Sequence, residues 1–184
     1  VTPGRRGETV WGIPVHNTVA EAIKEHRYID VSLITVPGDV VKGAVLETIE
    51  ADIKTIVMPV ERIPLHDILE MVARAREKGI KIVGPGSFGV ISPGKAAIGW
   101  IGGSLELAEE AFKPGKVGVI SRSGGQTTTI SWNISKSGLG ISTALNTGGE
   151  PIVGLAEAEL LMLFQEDPET EAVALFGEIG TVQE

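Results

Sequence analysis

Three short apolar runs, each shut by proline or glycine, constrain the fold of this chain more than any other feature. Residues 31–36 (VSLITV) end in Pro37-Gly38, residues 54–58 (KTIVM) in Pro59, and residues 80–83 (IKIV) in Gly84-Pro85-Gly86. The runs are β-branched and nearly continuous in apolar character, as strands are when both faces of a parallel sheet are covered. Helical patterns lie between them. Residues 18–27 open with a Thr18/Glu21 capping box. Residues 39–52 have Asp39 as N-cap, and residues 64–78 have Pro64 in the first turn and Gly79 as the stop. Alternation at this spacing predicts right-handed βαβ units.

The rhythm breaks over residues 92–114, where Pro93, Gly94, Gly99, Gly102, Gly103 and Pro114 crowd together. This stretch reads as a connection with a short helix near 105–112. Alternation then resumes with a strand at 117–120, a helix at 124–137, a strand at 141–145, a helix at about 152–165 and a strand at 171–176. The expected class is α/β, with two lobes that are each a doubly wound parallel sheet. The first lobe covers residues 1–93, the connection 94–114 and the second lobe 115–184.

Composition narrows the function. At 184 residues and 42% hydrophobic, the chain has apolar material for one large or two small cores. No run nears the roughly 18 apolar residues of a membrane helix, and the VTPGRR start lacks the apolar segment of a secretory signal. With no cysteine, disulfides and thiolate metal sites are excluded, which fits a reducing cytoplasm. A net charge of −8 and 4% aromatics argue against a nucleic-acid partner.

In open parallel sheets ligands bind beyond the carboxyl ends of the strands. There the segment 116–125 (KVGVISRSGG) reads as a strand that runs through a glycine turn into a helix. Ser123 and Gln126 have capping-box spacing, and Gly138 stands as the stop. Free N–H groups at the positive end of the helix dipole would bind a phosphate. An ordinary turn that uses glycine for tight packing is the alternative. Glu61 and Glu178 are isolated strand-end acids, suited to an adenine amino group, a ribose hydroxyl or an imidazole, or else solvated loop residues.

His16, His26 and His66 lack the spacing of a metal or catalytic set. His26 reads as a partner of a helix C-terminus, His66 as an exposed residue at a helix start, and no metal site is expected. Neither a G-x-S-x-G elbow nor a Walker loop is present, so nucleotide hydrolysis by this chain alone has no visible machinery.

Taken in order, several segments resemble the α subunit of succinyl-CoA synthetase and its relatives, the ADP-forming acid–CoA ligases and ATP-citrate lyase. They are VTPGR at 1–5, GIPV at 12–15, ERIP at 61–64, Gly84-Pro85, Ser92-Pro93-Gly94, SRSG at 121–124, GGEP at 148–151 and GEIG at 177–180. The resemblance implies a Rossmann-like CoA-binding lobe, incomplete at its start, followed by a flavodoxin-like ligase lobe, incomplete at its end. It implies a reaction in which a nucleotide phosphorylates a histidine, the phosphate passes to a small carboxylic acid, and the CoA thiol displaces it. ATP or GTP with Mg2+ would sit on an ATP-grasp β subunit or a fused β-like region. The compartment would be the cytoplasm, or a mitochondrial matrix.

By motif, Ser123, Gly124 and Gly125 are implied to hold the phosphoryl group and Glu178 to orient the active histidine. Arg5 is implied to contact CoA, and Pro59, Val60 and Glu61 to line its site. Thr128 stands where the family has its substrate-linked tyrosine, and the usual Gly-Pro-Asn reads Gly84-Pro85-Gly86. Succinate is the first expectation for the acid. The Ser123-Gly124-Gly125 and Gly99–Gly103 stretches lean toward the citrate-using branch, and a non-catalytic CoA-binding module is the further alternative. On this resemblance the chain starts after the family's first strand and CoA glycine loop. It stops before the phosphohistidine segment, and no histidine present matches that residue. Such a piece is not expected to turn over alone.

Overall fold

The computed structural model describes residues 1–26 and 28–180. A two-residue hairpin comes first, β1 (Thr9–Val10) with β2 (Ile13–Pro14), turned by Trp11 and Gly12 at positive φ. Then follow α1 (Val19–Glu25), β3 (Val31–Leu33), α2 (Val41–Glu50), β4 (Thr55–Val57), α3 (Leu65–Glu77) and β5 (Lys81–Val83). The three strands form a parallel sheet in the order β3-β4-β5. As expected, Thr18 caps α1: its hydroxyl accepts from the Glu21 N–H at 3.1 Å, while the Glu21 carboxylate accepts from the Asn17 N–H at 3.0 Å. Asp39 is not the cap of α2. That helix starts one residue later, with Val40 at the N-cap position and no side-chain bond.

The second lobe contains β6 (Gly89–Ser92), β7 (Ala96–Gly99), α4 (Leu105–Ala111), β8 (Pro114–Ser121), α5 (Gly124–Lys136), β9 (Ile141–Asn146), α6 (Glu157–Glu166) and β10 (Ala172–Phe176). Its sheet order is β10-β8-β9-β6-β7. The first three strands are parallel, but β6 runs antiparallel to both β9 and β7. The sheet is therefore mixed, and much of the glycine-rich stretch read as a connection is a hairpin that extends it. The reason is steric. A Cβ at Gly89 would lie 1.9 Å from the Ile98 oxygen and one at Gly99 would lie 2.4 Å from the Phe88 oxygen, both at positive φ. Glycines that look like loop formers in the sequence are here what lets two strands close up.

Alternation within the strands divides the core. Ile56, Met58 and Ile82 pack with Val41, Val45, Ile68 and Met71 from α2 and α3. Their neighbours Val57 and Val83 belong to a different cluster with Ile120, Leu145, Leu160 and Phe164 of the second lobe. A two-residue period thus turns one face of the first sheet toward its own helices and the other toward the second lobe. The carboxyl ends of β4, β5, β8, β9 and β10 are left to carry the loops of interest.

Candidate functional site

Strand β8 ends at Ser121, whose buried hydroxyl accepts from the Ser123 N–H at 3.0 Å and donates to the Ser123 oxygen at 2.8 Å. The turn is pinned on both sides. Arg122 N–H donates to the Phe176 oxygen at the end of β10, and Thr147 N–H donates to the Ser121 oxygen from the end of β9. Ser123 then caps α5, its hydroxyl accepting from the Gln126 N–H at 3.3 Å. Gly124 is half-buried and Gly125 exposed. The first N–H groups of a helix have no partner within the helix, so these two glycines present donors at the positive end of α5. A methyl group on Gly124 would meet Phe88 Cδ2 at 2.4 Å, whereas one on Gly125 would meet nothing.

Those glycines open onto a cavity of about 390 Å3 lined by Phe88, Trp100, Gly102, Gly103, Leu107, Gly124, Gly125, Thr128 and Thr129. The structure thus brings Thr128 together with Gly124 and Gly125, one helical turn apart on one wall. The opposite wall is aromatic, with the Phe88 and Trp100 rings 6.3 Å apart. None of these lining residues carries a charge.

Behind the turn, Arg122 is buried with its whole side chain shielded from solvent. Its Nη2 donates to the Glu150 oxygen at 3.0 Å, its Nε lies 3.7 Å from Glu178 Oε2, and its Nη1 lies 3.8 Å from Glu157 Oε1. Glu157 is also fully buried, and Oε1 accepts from the Thr147 hydroxyl at 3.1 Å. Glu178, half-exposed just past β10, is thereby held beside the 123–125 turn by the guanidinium next in sequence to Ser123. Sequence reasoning left Arg122 and Glu157 without roles. A lone arginine at the end of an apolar strand is the signal that could have found the first; Glu157 sits among acids that read as surface.

Pro59, Val60 and Glu61 form the loop after β4. The Val60 oxygen accepts from the Gly86 N–H at 3.0 Å, and the Arg62 N–H donates to Glu150 Oε1 at 3.0 Å. Glu150 therefore touches both sides: its carboxylate holds the 59–62 loop and its main-chain oxygen holds Arg122. Hydrogen bonds thus join the 59–62 loop through Glu150 to Arg122, whose Nε faces Glu178 at 3.7 Å. Arg5 lies in the N-terminal segment and pairs with Glu8, where the shared hydrogen bond holds the Glu8 carboxyl below its ordinary range. That segment borders a cavity of about 640 Å3, whose lining runs through Val1, Thr2 and Pro3, residues 32–36, and Ala44, Glu47 and Thr48 of α2.

The histidines depart from expectation in one respect. His66 is exposed beside Asp67 at the start of α3, and His26 caps the C-terminus of α1. His16, however, is buried and meets both His26 and Glu25. No spacing rule joins residues 16 and 25–26; the fold around α1 does.

Two family models match the chain. A CoA binding domain matches residues 1–61, and a succinyl-CoA ligase like flavodoxin domain matches residues 114–180. Among curated proteins, succinate–CoA ligase [ADP-forming] subunit alpha 2 of Archaeoglobus fulgidus is 45% identical over 98% of this chain and 60% of its own length. The malate–CoA ligase subunit alpha of Methylorubrum extorquens is 40% identical over all of this chain and 61% of its own. An ADP-forming sulfoacetate-CoA ligase subunit of an Acholeplasma species is 42% identical, again over 61% of its length. The chain thus spans about three fifths of the curated relatives it matches. Among solved structures, ATP citrate lyase from Methanothrix soehngenii in complex with citrate and coenzyme A superposes with a TM-score of 0.89, over 93% of this chain and 28% of that one. At 24% identity that likeness is one of fold.

Proposed function

The chain belongs to the succinyl-CoA ligase α-subunit family, and from that membership we propose that it is the α-type part of a nucleotide-dependent acid–CoA ligase. The observation that carries the proposal is the shared setting of two groups. The open helix start at Gly124-Gly125 faces the cavity that holds Thr128, and Arg122 keeps Glu178 beside the same turn. Phosphoryl transfer needs positioning and charge stabilisation more than covalent chemistry from the protein. The Ser123-Gly124-Gly125 turn supplies the N–H donors for a phosphoryl group borne on a histidine other than His16, His26 and His66. Glu178 accepts the ring N–H of that histidine and so fixes its orientation.

CoA, when bound, supplies the thiol that takes the acyl group. Two features support its fit: the cavity of about 640 Å3 beside the end of β3, and the small loops after β4 and β5. In this reading Pro59, Val60 and Glu61 line the CoA site and Arg5 faces one of its phosphates. An ATP-grasp β subunit, or a fused β-like region, binds ATP or GTP with Mg2+ and supplies the phosphoryl group. The enzyme works in the cytoplasm, or in a mitochondrial matrix.

The acid lies in the cavity at Thr128, with its reacting carboxylate toward the α5 N-terminus. Family likeness favours succinate. The cavity favours a less charged acid, because a second carboxylate would meet Phe88, Trp100 and Leu107 without a cation among the lining residues. Acyl-CoA formation by the full-length protein with its partner, ATP and CoA decides between these readings across succinate, malate, sulfoacetate, citrate and propionate. No acyl-CoA with any small acid contradicts the ligase reading. Propionate preferred over succinate supports the apolar cavity, and succinate or citrate preferred contradicts it.

A further inference from the structure

We propose that His16, Glu25 and His26 form a binding site for a divalent transition-metal ion of the zinc class, separate from the ligase site. One ligand atom from each residue lies within 4.8 Å of the other two. The two rings meet edge to face with centroids 5.4 Å apart, and His16 Nδ1 lies 3.9 Å from Glu25 Oε2. The donors come from both ends of α1. His16 stands two residues before the cap Thr18, Glu25 is the last helical residue, and His26 is the C-cap.

Burial separates this group from a chance surface cluster. His16 is 7% exposed and its Nε2 is buried without a hydrogen-bond partner. An imidazole in such a place is normally satisfied on both nitrogens. Here the Glu25 carboxylate lies 3.9 Å away, and the second imidazole stands against it. Two imidazoles and one carboxylate are a recurrent donor set for zinc, with a fourth position left for water. The nitrogen share selects against calcium and magnesium, which take oxygen.

Donors bound about 2.0–2.2 Å from a tetrahedral ion stand roughly 3.4 Å from one another. With all donors within 4.8 Å of one another, the group contracts by at most about 1.4 Å to reach that spacing. Glu25 and His26 are exposed and free to make that adjustment, while His16 stays fixed in the core. The His16 oxygen accepts from the Thr2 N–H at 2.9 Å, so the ion would also tether the segment that carries Arg5.

The test is titration of the full-length, chelator-stripped protein with ZnCl2, followed by calorimetry and thermal unfolding. The expected result is about one equivalent per chain and a zinc-dependent rise in melting temperature. His26→Gln and Glu25→Gln, at exposed positions that leave the fold intact, each weaken binding at least about tenfold. His66→Gln, on α3, binds as the wild type does. Substoichiometric binding, or undiminished affinity in both His26→Gln and Glu25→Gln, overturns the site.

Discussion

Arg122 and Glu157 face each other with Nη1 and Oε1 3.8 Å apart, both side chains wholly shielded from solvent. Neither is well satisfied by its partner: Arg122 Nε and Nη1 and Glu157 Oε2 have no hydrogen bond. The charges are held by proximity and by two flanking bonds, from Arg122 to the Glu150 oxygen and from Thr147 to Glu157. A buried pair of this kind is costly to break from one side, because the surviving charge is left uncompensated. Its position directly behind the 123–125 turn also makes it the frame on which Glu178 hangs.

Arg122→Met is accordingly expected to destabilise the fold by about 3 kcal/mol, the usual cost of stranding one member of a buried pair. Urea unfolding measures it. A loss below about 0.5 kcal/mol would show that Glu157 is compensated elsewhere.

Gly124 and Gly125 are expected to respond in opposite ways. Gly124→Ala drives a methyl into Phe88 and should cost about 1–3 kcal/mol, with part of the loss recovered by Phe88→Leu. Gly125→Ala meets open space in the first turn of a helix and should be neutral, or stabilising by up to about 1 kcal/mol. Thermal melts of the three variants decide this. Equal destabilisation by both alanines would contradict the packing described for Phe88.

Arg5 is exposed and, among the described residues, its side chain pairs with Glu8, so Arg5→Ala should leave stability unchanged and act on CoA alone. Calorimetry is expected to show weaker CoA binding with an unchanged melting temperature. Unaltered CoA affinity would remove Arg5 from the site.

Asp167 gives the fold an acid-sensitive contact. Its carboxylate accepts from the Thr170 hydroxyl at 2.7 Å and from the Glu169 N–H at 3.1 Å, and these bonds, Thr170 first, hold its pKa below the ordinary value. A pKa lower in the folded than in the unfolded chain means that the contribution is present above the unfolded value, about 3.9, and is lost as pH falls through the folded one. Asp167→Asn should lower the melting temperature at neutral pH and, having no such contribution to lose, flatten the acid arm of melting temperature against pH. An identical acid arm in both proteins contradicts the assignment.

Much of the fold was legible because its strands are continuous apolar runs and its loops are closed by proline and glycine. Thr18, Ser123, Gly79 and Gly138 marked helix ends for reasons local to a few residues. The β6–β7 hairpin was not legible, because Gly89 and Gly99 act through contacts across a sheet and look in sequence like loop glycines. Asp39 could cap a helix, yet the chain begins α2 a residue later. At the site, the turn itself could be read, but not the links behind it. Arg122 comes from the turn after β8, Glu150 from the loop after β9 and Glu157 from the first turn of α6, and the pairing of His16 with His26 depends on how the chain folds around α1.

The central claim is that the 123–125 turn and Glu178 serve a phosphoryl group carried on a histidine. The direct measurement is phosphoenzyme formation and discharge by the full-length protein with its β partner and γ-phosphate-labelled ATP. The account predicts an acid-labile, alkali-stable label on the α-type chain that CoA and acid discharge together, with discharge slowed at least about tenfold in Glu178→Gln. No such label, or discharge at the wild-type rate in Glu178→Gln, would contradict it.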